Sequence, residues 1–263
     1  MRIAVFQFAS SDDIELNFSK IKKAIFEAAE NEVRLLVFHE CALCGYPSVE
    51  SKIDKIDFNL MERHVQEIQH LAKENPLYIA VGILRKINEK IYNSVVVINP
   101  QGGIMGFYDK RALWGWDWDN FSKGEGLGVF EVDNLKIGFR ICYEIRFPEY
   151  FRELFKENAN LCFVCFCDVS KEDLSERYEL IKAHLKTRAV ENVMTVISAN
   201  SISSCQTAPT AVFDINGKVV AEAPKNTEHL LIYDYETPEI GFGQEGRIQN
   251  SKALMKEMGK SLC

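Results

Sequence analysis

The sequence predicts an α/β protein in which helices pack on mixed β-sheet. Three observations carry that prediction. Short apolar runs of strand character alternate with longer stretches of helical periodicity. The strand-like runs exceed ten, more than one open sheet holds comfortably, so two sheets are predicted. Apolar residues are 47% and charged residues 26% of the 263, which leaves ample side chain to bury.

Residues 3–8 form a first apolar strand. Asp13 then precedes a helical stretch that places Leu16, Ile21, Ala24, Ile25 and Ala28 on one face. Residues 35–38 make a short buried strand. Leu60, Met61, Val65, Ile68, Leu71 and Ala72 recur at helical spacing within 58–72, and Pro76 lies just beyond. Strands follow at 78–84, 91–98, 104–108, 128–132 and 135–142. Pro148 opens a helix over 148–155, because a proline in the first turn loses no hydrogen bond. A strand at 161–166 and a long amphipathic helix at 174–191 come next. Strands at 193–198, 211–215, 219–221 and 230–233 complete the series, with Asn216-Gly217 marking a hairpin turn.

Lysine and arginine number 31 against 38 aspartates and glutamates, a net charge of −7, so no basic surface is predicted for nucleic acid. No apolar run reaches the roughly 18–20 residues of a membrane span, and no membrane partner is expected. The opening MRIAVFQFAS has the character of a strand, not of a signal peptide. Eight cysteines without an export signal are expected to be reduced thiols in the cytoplasm. No linker divides the chain, which predicts one domain over 1–263 with a tail from about residue 236.

In an α/β fold, chemistry collects at strand ends. Three apolar runs end on reactive side chains: His39-Glu40, Asp109-Lys110-Arg111 and Cys142-Tyr143-Glu144. Singly, each has an ordinary explanation as a loop carboxylate, a turn lysine or a buried thiol. Together they are the parts needed to cleave an amide. A thiol needs a base, which a carboxylate supplies. A tetrahedral oxyanion needs a cation or N–H groups, which a lysine supplies.

The words around these residues resemble a known family. Phe38-His39-Glu40-Cys41-Ala42-Leu43-Cys44-Gly45-Tyr46-Pro47 resembles the glutamate motif of the nitrilase superfamily, the carbon–nitrogen hydrolases. Tyr108-Asp109-Lys110-Arg111-Ala112-Leu113 is similar to its lysine motif, and 138–149, centred on Cys142-Tyr143-Glu144-Ile145-Arg146-Phe147-Pro148, to its cysteine motif. Arg188-Ala189-Val190-Glu191-Asn192, Ser198-Ala199-Asn200 and the hairpin at 209–218 follow in the family's order, so the likeness spans about 1–235. The resemblance implies a four-layer αββα sandwich of two mixed sheets flanked by helices. It also implies Glu40 as general base, Lys110 as oxyanion partner and Cys142 as nucleophile, with the Tyr143 N–H as second oxyanion donor. No metal or cofactor is implied. Family members commonly associate, so a homodimer or larger homo-oligomer is expected.

Many members carry a second pocket glutamate four residues before a Phe-x-x-Gly; here Phe121-Ser122-Lys123-Gly124 puts Asp117 at that place. Asp117 or Asp119 could orient Lys110, and a carboxylate there would favour its ammonium form. Trp114, Trp116 and Trp118 share this loop and either wall the pocket or bury against a second subunit. Tyr46, Trp114, Cys167 and Asp168 are the further pocket candidates. Two C-x-x-C pairs, 41/44 and 162/165, would suggest zinc. The first lies inside the glutamate motif, and the second points to opposite faces of a strand. His39 is expected to be structural. His64 and His70 do not share a helix face, and His184 belongs to a helix surface or groove. Glu144 and Arg146 are expected to brace the cysteine turn.

Nitrilases of the family usually place Trp after the cysteine, whereas Tyr143 here resembles the amidase and N-carbamoyl hydrolase branches. The expected substrate is therefore a small linear amide or N-carbamoyl compound. Nitrile hydrolysis, a non-catalytic scaffold, and a redox or metal-binding role for the C-x-x-C pairs are the alternatives.

Overall fold

The computed structural model describes residues 1–47, 49–202 and 205–261. In chain order the first elements are Arg2–Gln7 (β1), Ile14–Glu30 (α1), Leu35–Phe38 (β2), Phe58–Glu74 (α2), Tyr78–Ile87 (β3), Lys90–Ile98 (β4) and Ile104–Asp109 (β5). Asp117–Asn120 (α3), Val129–Val132 (β6), Leu135–Ile141 (β7), Pro148–Lys156 (α4), Leu161–Phe166 (β8) and Val169–Ser170 (β9) follow. The last are Ser175–Asn192 (α5), Thr195–Asn200 (β10), Cys205–Gln206 (β11), Ala211–Phe213 (β12), Val219–Glu222 (β13), His229–Asp234 (β14) and Phe242–Ser261 (α6).

Two six-stranded mixed sheets run β14-β1-β2-β3-β4-β5 and β13-β12-β10-β8-β7-β6. The alternation of side chains along each strand builds the layers. In β1, Ala4 and Phe6 join a core shared with α1 and α2, while Ile3 and Val5 face the other sheet. In β8, Leu161, Phe163 and Cys165 lie between the sheets, and Cys162, Val164 and Phe166 pack under α4 and α5. The result is helix, sheet, sheet, helix, and Cys162 and Cys165 belong to different layers.

Local chemistry sets most boundaries. Asp13 caps α1 by accepting from Leu16 N, and Asp57 caps α2 by accepting from Leu60 N. The hairpin between β12 and β13 turns at Gly217, whose φ is 74°.

Several expectations are corrected. Leu16 is 48% exposed, and Asn17 is buried in α1 instead, where its amide N–H₂ binds the carbonyls of Ser11 and Leu43. A buried amide with its partners supplied ties the helix to the loop that carries Glu40. Val193 is not in a strand; it closes α5 in the left-handed region, and β10 begins at Thr195. The face α5 buries includes Arg188 and Asn192, so it is not a simple apolar stripe. The pair β9–β11, the short α3 and the tail helix α6 were not anticipated. None is marked by a long periodic apolar run. No helix among the described residues is long and apolar enough to cross a membrane.

Candidate active site

β1, β2 and β3 are parallel, β3–β4 and β4–β5 antiparallel, so β5 runs with β2. β7 and β8 are parallel in the facing sheet. Glu40, Lys110, Cys142 and Cys167 each follow the C-terminal end of one of these strands, and they meet where the two sheets open.

Glu40 is 1% exposed and fully engaged. Its Oε1 accepts from Lys110 Nζ at 2.9 Å and from Asn93 Nδ2 at 2.7 Å, and its Oε2 accepts from Cys167 N at 2.9 Å. The Cys142 thiol lies close enough to this carboxylate for its charge to raise the thiol pKa. The approach depends on Gly82 of β3. A Cβ there would lie 2.1 Å from the His39 carbonyl oxygen and 2.5 Å from Cys41 N. Only glycine lets the Glu40 turn cross the strand so closely.

Lys110 is 1% exposed and carries a second carboxylate, Asp117 Oδ2, at 2.8 Å. Burial alone would lower its pKa, but Glu40, Cys142 and Asp117 together hold the ammonium well above its ordinary value. Asp117 is fully buried, accepts from Trp114 N at 3.2 Å through the same oxygen, and accepts from the Tyr46 hydroxyl through the other. Asp119 is exposed and plays no part in this cluster.

Cys142 is half-buried with φ at 46°, a left-handed conformation that costs an L-residue energy and is kept where surrounding structure enforces it. It begins a 3-10 turn over Cys142–Arg146. Burial pushes its thiol well above the usual range, Glu40 adds to that rise, and Lys110 opposes it. Burial therefore favours the neutral thiol form of the resting sulfur.

The buried Glu144 carboxylate ties the cysteine turn to the lysine turn. It accepts from Ile141 N and Arg111 N at 2.6 Å each, from Ala112 N at 3.3 Å and from the Tyr108 hydroxyl at 2.8 Å. Arg188 of α5 holds the same turn through the Ile145 carbonyl at 3.0 Å. Arg146, expected to brace it too, makes no hydrogen bond or ion pair among the described residues and lines the cavity instead. His39 packs its ring 4.7 Å from that of Phe8, on the core side of the turn.

A cavity of about 490 Å3 opens over Cys142 and Lys110. Tyr46, Trp114, Tyr143, Cys167 and Asp168 line it, as do Arg146, Arg177 and Thr207. Asp168 is tied down by Arg177 through two bonds of 2.8 Å and by the Thr207 hydroxyl. Asn200 clamps the Asp168 backbone on both sides at 2.9 Å. The tryptophans divide: Trp114 walls the cavity, Trp116 packs edge-on against Phe121, and Trp118 is 66% exposed. Among the described residues no group of three or more His, Cys, Asp or Glu side chains is placed to hold a metal ion.

Sequence reading missed Asn93, Arg177 and Thr207. An asparagine opening the apolar run of β4 was the one visible signal; α5 and the β11–β12 loop gave none.

A model of the carbon–nitrogen hydrolase family matches residues 2–242. A deaminated glutathione amidase of Dictyostelium discoideum is 28% identical over 93% of this chain and 90% of its own. A 2-oxoglutaramate amidase of Bacillus subtilis is 29% identical over 92% of each. Among solved structures, a cysteine-to-alanine variant of the amidase from Nesterenkonia sp. AN1 in complex with butyramide superposes with a TM-score of 0.83 at 21% identity, covering 98% of this chain and 96% of that one.

Proposed function

The chain belongs to the carbon–nitrogen hydrolase family, the nitrilase superfamily, and from that premise we propose that it hydrolyses a small linear amide or N-carbamoyl compound through a cysteine-bound acyl intermediate. One observation carries the reading: a single buried carboxylate, Glu40, holds the Lys110 ammonium at 2.9 Å and acts electrostatically on the Cys142 thiol, beneath a cavity that Lys110 and Cys142 both line.

In this mechanism Cys142 Sγ attacks the carbonyl carbon while its proton passes to Glu40. The developing oxyanion takes hydrogen bonds from Lys110 Nζ and the Tyr143 backbone N–H. Glu40 hands its proton to the leaving nitrogen, the C–N bond breaks, and ammonia or an amine departs. Water then attacks the thioester and gives a proton to Glu40. The C–S bond breaks, and the sulfur recovers the proton as the acid leaves. Splitting the reaction in this way replaces one difficult step by two easier ones. Asp117 keeps Lys110 charged, and Tyr46 orients Asp117.

Arg146 narrows the class. A half-buried guanidinium with no hydrogen bond or ion pair among the described residues favours a substrate that carries a carboxylate away from the scissile amide, as 2-oxoglutaramate does by name. Arg177 is committed to Asp168 and shapes the wall.

An ammonia-release screen over short amides, ω-amides with a carboxylate, carbamoyl amines and nitriles, with Cys142→Ala as the blank, tests the reading. Turnover of an amide or carbamoyl compound that vanishes in Cys142→Ala is expected. Equal ammonia release by the variant, or turnover of nitriles alone, rejects it. The same reading takes the chain as one domain acting as a homo-oligomer. Exposed Trp118 and Phe242 support a covered surface, and sedimentation of a monomer would count against it.

A further inference from the structure

Beside the Cys142–Glu40 pair lies a second thiol and carboxylate that hydrolysis leaves unused. Cys167 lines the same cavity, and the Glu50 carboxylate is near enough to act electrostatically on its thiol. The two pairs share a contact. Glu40 accepts the Cys167 N–H at 2.9 Å and also acts electrostatically on the Cys142 thiol. Strand register brings the cysteines close as well. Ile141 of β7 pairs with Cys165 of β8, so Cys142 and Cys167 follow that pair by one and two residues. Both cysteines line the one cavity, and Cys142 is near enough to act electrostatically on the Cys167 thiol.

Glu50 is built into the fold. It accepts from the hydroxyls of Ser10 and Ser201 at 2.6 Å each and from Tyr46 N at 3.1 Å. No ion pair to Glu50 is present among the described residues, and burial raises its carboxyl above the usual range. A carboxylate in that setting has a raised proton affinity and can take the proton of a neighbouring thiol.

We propose that Cys167 is a resolving thiol, which closes a reversible Cys142–Cys167 disulfide when a peroxide oxidises Cys142. In the first step Cys142 Sγ attacks a peroxide oxygen. The O–O bond breaks, a sulfenic acid forms, and the other oxygen leaves as water with the thiol proton. In the second step Cys167 Sγ attacks the Cys142 sulfur as its own proton passes to Glu50. The S–O bond breaks, and the hydroxide leaves as water with a proton returned by Glu50. The peroxide is reduced to two waters, and the two thiols are oxidised to one disulfide. The bridge blocks the nucleophile and shields it from sulfinic acid, which a dithiol cannot reverse.

The inference rests on Cys142 being the reactive thiol of the proposed hydrolysis. Its test treats the wild-type protein, Cys167→Ser and Cys205→Ser with hydrogen peroxide, then maps unreduced peptides by mass. Wild type and Cys205→Ser are expected to give a 142–167 linked peptide, lighter by two hydrogens and lost on dithiothreitol treatment. Each should recover most of its own untreated activity on reduction. Cys167→Ser should lack the link, accumulate sulfinic acid at Cys142, and fail to recover. Absence of the linked peptide in wild type, or equal recovery by Cys167→Ser, overturns the proposal. The link is read by mass alone, so a missing linked peptide counts against this proposal, whereas missing amide and carbamoyl turnover counts against the hydrolytic reading, and the two failures are told apart.

Discussion

Three charges and one thiol share very little space around Glu40, and their balance sets the behaviour of single residues. Lys110 is held cationic by two carboxylates at 2.9 and 2.8 Å. Lys110→Ala should lower kcat/KM by a factor of a hundred or more, corresponding to about 3 kcal/mol for one lost oxyanion partner. It also leaves Glu40 and Asp117 buried without their cation, so a lower unfolding midpoint should accompany it. Asp117→Asn is the subtler change. The amide can keep a hydrogen bond to Lys110, but one of the influences raising the Lys110 pKa is gone. The alkaline limb of the pH–rate profile should therefore move to lower pH, and an unmoved limb would show that Asp117 does not hold the charge on Lys110.

At the scale of elements, the site is a set of strand ends held at the right spacing by neighbours. β3 passes behind the Glu40 turn, and Gly82 is the point of closest approach. Gly82→Ala should displace Glu40, cost about 1–3 kcal/mol of stability by overpacking, and depress kcat far more than KM. Wild-type kcat with a lowered melting temperature would mean that the turn shifts without moving the carboxylate. The strand ends bearing Glu40, Lys110 and Cys142 were legible because apolar runs stop abruptly on reactive residues. The braces were less so. Asn93 and Arg188 act across distant contacts, and polar residues in a strand or helix announce no partner. Arg146 shows the limit in the other direction. Its place beside the cysteine suggested a brace, yet Glu144 and Arg188 fill that role and leave its guanidinium to the cavity.

For the whole molecule, stability is coupled to pH through His39, which is buried in the core beneath the glutamate turn. Desolvation pushes its pKa down to about 4 from 6.5. Between those values the unfolded chain takes up a proton that the folded chain refuses, so stability rises with pH across that window and is complete above it. The full effect is on the order of 3 kcal/mol. His39→Gln should flatten the dependence of urea midpoints on pH between the two ends of the window, and a curve as steep as wild type would assign the slope to other groups. The four layers explain why the effect is global: His39 sits against Phe8, in the core that joins the first sheet to α1 and α2.

Alternating apolar and helical patterns, the ends of the strands and the words around Glu40, Lys110 and Cys142 determined the layer architecture and the family, and nominated those three side chains. Those features are local, because side-chain period and chain chemistry are written within a few residues. Folding alone decided that Glu40 spends its two oxygens on Lys110, Asn93 and Cys167, that Asp117 and not Asp119 reaches the ammonium, that Arg146 faces the cavity, and that Cys167 lines the same cavity as Cys142. Each of these joins residues from separate strands and loops, and the sheet pairing and loop packing that bring them together are set by long-range burial that no short stretch of sequence encodes.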